Sequence, residues 1–191
     1  MKRLAVVAVG CLLMASGLFA QHTGLDRMFA DTMTKHHQDG IKMSEMAVEK
    51  AVSAELRTMS HKAIEEQTRE IAQLQSLRGD GPPTTPDEIQ RMPGMMPESD
   101  MQRDLARLEA ASGRAFDLAF TETMARHHAG AVKMSKHYLQ HGQKAELKEL
   151  AQKIADEQTA ERQKLLAMHD SMDDPASMAS SSGERQRMSK D

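Results

Sequence analysis

Two segments of the chain set a pair of adjacent histidines between methionines: Met33, His36, His37 and Met43 in one, Met124, His127, His128 and Met134 in the other. Imidazole nitrogen and thioether sulfur are soft-metal donors. Together they suit Cu(I); imidazole also serves Cu(II) and Zn, and thioether is a poor ligand for hard ions. In each segment a methionine precedes one imidazole by three residues and the other by four. On a helix that is one turn, so Met33 can reach an ion held by His36 or His37, and Met124 one held by His127 or His128. Met43 lies seven residues beyond His36, about 10 Å along a helix axis at 1.5 Å per residue. Met43 and Met134 are therefore weaker candidates, and filling the core would account for them equally well. The competing reading is metal-free: histidines bonded to buried carboxylates, fixing the register of a helix bundle.

The elements that must position these residues are written twice. "FADTMTKHHQDGIKMS" begins at Phe29 and "FTETMARHHAGAVKMS" at Phe120, an offset of 91, and the same offset aligns "AELRTMSHKAIEEQTREIAQL" from Ala54 with "AELKELAQKIADEQTAERQKL" from Ala145. The repeating unit is thus a pair of helices. Helical periodicity predicts one from about Gly24 to Ala51, a second capped by Ser53 and running to about Arg78, a third from about Arg114 to His141 before Gly142, and a fourth from about Lys144 to Asp170. Short connections make antiparallel hairpins, and two hairpins make an all-α four-helix bundle. Repeat one spans about 24–78, a Pro/Gly-rich crossover 79–113, repeat two about 114–170, and the bundle domain 21–172. Within the crossover, Thr85–Pro86–Asp87–Glu88 predicts a capping box and a short helix, and Ser99 to Gln102 a second box opening a linker helix to about Ala111. Residues 173–191 carry no periodic apolar face and are expected to be disordered.

At 100° per residue, both histidines of the first segment fall on the face that carries Phe29, Met33 and Ala47, with Gly40 leaving room beside them. The second segment repeats this with Met124, Ala131, Met134 and Ser135. On the partner helices Glu70 lies in an apolar stripe beside Gln67, and Glu161 beside Gln158. A carboxylate on a core face is costly unless paired, so the histidines or an ion must face it. Further ligand candidates are Met92, Met95, Met96 and Met101 around the crossover, with a Met-lined lid as the alternative. His137 and His141, spaced i, i+4, can chelate Cu(II) or Zn at a surface or simply be solvated.

The N-terminus "MKRLAVVAVGCLLMASGLFAQH" reads as a secretory signal, with Lys2 and Arg3 ahead of an apolar run and cleavage expected after Ala20. Cys11 is the single cysteine and lies within it, so the mature chain would have neither disulfides nor thiolate ligands in an oxidising compartment. Fifteen of the seventeen methionines lie beyond the expected cleavage point and then supply the soft sulfur. A net charge of −3, no basic stripe and 3% aromatic residues give no basis for nucleic-acid binding. No membrane association is expected once the signal is removed.

"FADTMTKHHQDGIKM" and "LEAASGRAFDLAFTETMARHHAGAVKMS", each followed by "EEQTREI" or "DEQTAER", resemble the ferritin-like family called "domain of unknown function 305", over roughly Leu25 to His169. The resemblance implies a four-helix bundle, often exported, and in some members a periplasmic copper-binding protein supporting copper resistance. Carried over residue by residue, it implies Met33, His36, His37, Met43, Gln67 and Glu70, with Met124, His127, His128, Met134, Gln158 and Glu161. The first copy departs with Asp39–Gly40 where the second has Gly130–Ala131, and the helix cost of Gly40 predicts a looser first site. The expectation is a copper carrier or store without a catalytic step, taking Cu(I) by preference and Cu(II) as well, with another periplasmic copper carrier or efflux component as its protein partner. Two rivals are a metal-independent periplasmic chaperone or stress protein and a di-iron oxidase. The latter needs Glu-x-x-His on two helices, a pattern missing from the sequence.

Overall fold

From Gly24 to Lys50 only Gly40 interrupts a run of good helix formers, and the structure, a computed structural model, forms α1 over Gly10–Lys50. Residues 10–174 are described, with side chains from residue 24 onward. The helix starts earlier than expected because the apolar segment ahead of Gly24 contains no proline to stop it. Residues 1–9 of the expected signal and 175–191 of the expected tail lie outside the described residues. The Ser53 side chain accepts from Leu56 N–H and opens α2, Ala54–Leu77. The crossover carries α3, Pro86–Arg91, with the Thr85–Glu88 capping box in place, and α4, Glu98–Ala110. The second expected box does not form. Pro97, with its φ already helical, is the N-cap, so Ser99 falls inside the first turn and donates to Asp100, while Gln102 donates to Glu98. Then come α5, Gly113–His141, closed by Gly142 N–H donating to Tyr138, and α6, Ala145–Asp173.

α1–α2 and α5–α6 are tight hairpins; α1 packs along α5, and the crossover helices lie on α1 and α5. α2 and α6 pack less closely than the other neighbouring helices of the bundle. Gly94, at φ +105°, brings the crossover so close that a Cβ on Gly130 would meet Gly94 O at 2.6 Å.

Two apolar clusters fill the bundle. Met33 packs with Phe29, Met92, Met134 and Tyr138 in one; Met43 packs with Phe116, Phe120, Met101 and Met124 in the other. Burying each such side chain contributes about 1.5–3 kcal/mol. Phe29 stacks on Tyr138, His36 on His127, and Val52 N–H donates to Asp117, so α1 and α5 run antiparallel and the two repeats are related by an approximate two-fold. The four histidines occupy the layer between the clusters. The repeats also close each other's turns. Asp117 on α5 accepts from Val52 and Ser53 N–H in the α1–α2 turn, at 3.1 and 2.9 Å, and Asp26 on α1 accepts from Gln143 N–H in the α5–α6 turn and from Tyr138 Oη. Among the described residues no helix is long and apolar enough to cross a membrane.

Candidate metal centre

α1 and α5 carry the histidines, and their antiparallel packing brings the two pairs together. The His36 and His127 rings stack at 3.6 Å between centroids, and His36 Nε2–H donates to His127 O at 3.1 Å. Gly40 and Gly130 permit this approach: a Cβ at Gly40 would meet Gln67 Oε1 at 2.6 Å and His127 Cε1 at 3.1 Å, and one at Gly130 would meet His36 Nε2 at 3.1 Å. The space beside Gly40 is thus filled by Gln67 and His127. The expectation of a looser first site is not met, because the missing Cβ is exchanged for a close interhelical contact.

The outer imidazoles each face the carboxylate expected for them. His37 Nε2–H donates to Glu70 Oε2 at 2.8 Å, and His128 Nε2 lies 3.2 Å from Glu161 Oε2. A lysine from the opposite repeat completes each pair. Lys153 on α6 donates to Glu70 Oε1 at 2.7 Å, while Lys62 on α2 reaches Glu161 at 3.8 Å. Lys62 and Lys153 correspond at the repeat offset, so the two charges cross the α2–α6 seam in opposite directions. Burial would raise the Glu70 carboxyl, but the bonds from His37 and Lys153 outweigh it and hold the group at about 2. Burial works against Glu161 too, but the bond from His128, with other nearby partners, holds its carboxyl below the usual range.

His36 and His127 are held well below the usual imidazole range by burial first and by the neighbouring imidazoles second. Both are therefore neutral at physiological pH, with nitrogen lone pairs available. The Nδ1 atoms of His36, His37 and His128, and both ring nitrogens of His127, are buried without a hydrogen-bond partner. Gln67 Oε1 and Nε2 and Gln158 Oε1 are in the same state. A buried polar group without a partner costs about 1–3 kcal/mol, and so many of them in one layer is uncommon in a native core. Met33, Met43, Met124 and Met134 are all at most 3% exposed and pack in the clusters on either side. Among the described residues no three His, Cys, Asp or Glu side chains converge as a metal site. The partnerless imidazole nitrogens, with thioethers buried on either side, are donor types that copper takes.

The remaining candidates lie elsewhere. Met92 and Met101 are buried, one in each apolar cluster, with Met95 and Met96 packed against the same clusters, so all four have a core to fill. His137 and His141 pair on the last turn of α5, rings 4.7 Å apart, well away from the tetrad. Sequence reasoning missed Lys62, Lys153, Asp26 and Asp117. The signal was present, since both pairs recur at the offset of 91.

The model of the family described as "Domain of unknown function (DUF305)" matches residues 26–169. No curated protein matches the sequence. Solved structures do. CopM in its Cu(II)-bound form is 30% identical, with 76% of this chain and 95% of that one covered at a TM-score of 0.62. CopM in its Cu(I)-bound form is 28% identical, with 78% and 98% covered and the same TM-score. A DUF305 protein from Streptomyces coelicolor is 21% identical, with 78% and 93% covered at 0.65, a likeness of fold alone. With a family model that matches residues 26–169, well over half of the sequence, the chain belongs to the DUF305 family.

Proposed function

We propose that the protein is an exported copper-binding protein that sequesters Cu(I) or hands it on. One observation carries this reading: neutral, buried imidazole nitrogens without partners, set between buried thioethers. Neutral imidazole and thioether are the donors that Cu(I) takes, and a monovalent ion is less costly to bury than a divalent one. Met33, His36, His37, Met124, His127 and His128 would supply the first donors, with Met43 and Met134 on the far side of each cluster. Glu70 and Glu161, oriented beside Gln67 and Gln158, balance the charge. The bound copper forms of CopM, a structural relative, support the same cargo. His137 and His141 would take Cu(II) at the surface. Export follows from the N-terminal signal pattern, and the protein partner would be another periplasmic copper carrier or an efflux component. No catalytic step is required.

The test is Cu(I) competition against a chromogenic chelator, using the protein without its signal segment and a His36/His37/His127/His128→Ala variant. The wild type should take Cu(I) and the variant, if helical by circular dichroism, should not. Equal uptake by a helical variant would overturn the proposal. The hydrogen bonds of His37 and Lys153 to Glu70 favour a second reading in which the layer only fixes the register of the bundle. That reading expects no copper uptake and a large loss of stability in the variant.

A further inference from the structure

The two halves of the centre have the same ligands but not the same walls. On the second half a cavity of about 10 Å³, enough for one water molecule or one ion, lies against His128, Met124 and Glu161 and is walled by Met59, Ser60 and Ala63 of α2. At the offset of 91 these three wall residues correspond to Leu150, Ala151 and Ile154 of α6. There the larger side chains pack with Phe29, Met33 and Leu74 in one continuous cluster. Exchange of an isoleucine for Ala63 opens space, and exchange of a leucine for Met59 puts a thioether beside it. Ser44 Oγ and Ser60 Oγ also line the cavity, both buried and without hydrogen-bond partners.

The carboxylates differ in the same sense. The Glu70 side chain is 3% exposed and bonded by both His37 and Lys153, whereas Glu161 is 14% exposed and its lysine stands off at 3.8 Å. The crossover helices lie on α1 and α5, whereas at the α2–α6 seam Lys62 is exposed and Met59 and Glu161 are half-buried, which makes this seam the shorter approach to the layer. Resting on the copper reading above, we propose that the half-sites load in order: Cu(I) enters between α2 and α6 and is captured first by Met59, Met124 and His128, with Glu161 as its counter-charge. Met59 is then a ligand that the histidine motif does not contain. The first half-site, closed by Ile154 and by Lys153 on Glu70, fills second.

Ag(I), a redox-silent stand-in for Cu(I), is titrated into protein carrying 13C-methyl-labelled methionine. In wild type the Met59 and Met124 methyl resonances should move within the first equivalent, before that of Met33. Ala63→Ile, which copies the residue already accommodated at 154, should close the cavity, keep the helical content and weaken the first equivalent at least tenfold. Met59→Leu, which copies Leu150, should weaken it with the cavity left open. Movement of Met33 first or together with Met124, or wild-type first binding in a folded Ala63→Ile protein, would overturn the order of loading while leaving copper binding intact. Absence of any Ag(I) or Cu(I) binding would instead overturn the functional reading itself.

Discussion

Acidification should unfold this protein by way of His36 and His127. Both imidazoles are held neutral in the native state, by burial first and by the neighbouring imidazoles second, and Lys35 adds like charge to His36. In the unfolded chain they regain an ordinary value near 6.5. The sign follows from proton uptake. Below 6.5 the unfolded chain binds protons that the native protein does not. The native state is therefore fully favoured above that value and loses stability as the pH falls from 6.5 towards the depressed native values. Each histidine contributes at most about 1.4 kcal/mol between pH 7.5 and 5.5, and the two together at most about 2.7 kcal/mol. With a urea dependence of about 1–3 kcal/mol per M, the unfolding midpoint should drop by up to roughly 1–3 M. Urea titrations of metal-free protein, followed by far-ultraviolet circular dichroism at pH 7.5 and 5.5, measure this directly. A His36→Gln/His127→Gln variant should lose most of the difference. Glu70, held at about 2, contributes stability that is lost only as the pH falls below the ordinary carboxyl range towards that value, outside the window. A wild-type midpoint that does not move, or an identical shift in the folded double variant, would refute the argument.

Two other outcomes are expected. Asp117→Ala strands the N–H groups of Val52 and Ser53 in the α1–α2 turn and should cost about 2–4 kcal/mol in urea unfolding, whereas the exposed neighbour Ala115 should tolerate Ala115→Ser within about 0.5 kcal/mol. Gly130→Ala places a Cβ 2.6 Å from Gly94 O, so the crossover must lift; a cost of about 1–3 kcal/mol and faster proteolytic cleavage within residues 79–97 should follow, with cleavage at the wild-type rate counting against the contact.

Much of this layout is legible in the sequence, because it depends on local periodicity. The 3.6-residue repeat places His36, His37 and Met33 on one face, and the oddity of Glu70 in an apolar stripe marks its partner. Contacts between hairpins are another matter. Periodicity cannot say that His36 stacks on His127 rather than on its own neighbour, or that Lys153 crosses to Glu70, because the register between α1 and α5 is set by how the two methionine clusters close. Gly40 illustrates the same limit. Read locally it is a weak point in a helix; in the bundle it is where Gln67 and His127 come close. Ser99 failed as a cap because Pro97 competed for the same helix start and is conformationally committed to it. The unlike walls of the two half-sites were visible in the alignment of Ala63 with Ile154, but a volume difference becomes a cavity only once both are known to face the same layer.

The reciprocal aspartates have a consequence for how the chain folds. Asp26 belongs to the first hairpin and closes the turn of the second; Asp117 belongs to the second and closes the turn of the first. Each hairpin holds a carboxylate that would bond the turn of a copy of itself. Each turn therefore gains its aspartate bonds only when the other half is in place. A chain carrying either repeat alone has the chemistry to finish a second such chain but not to finish itself.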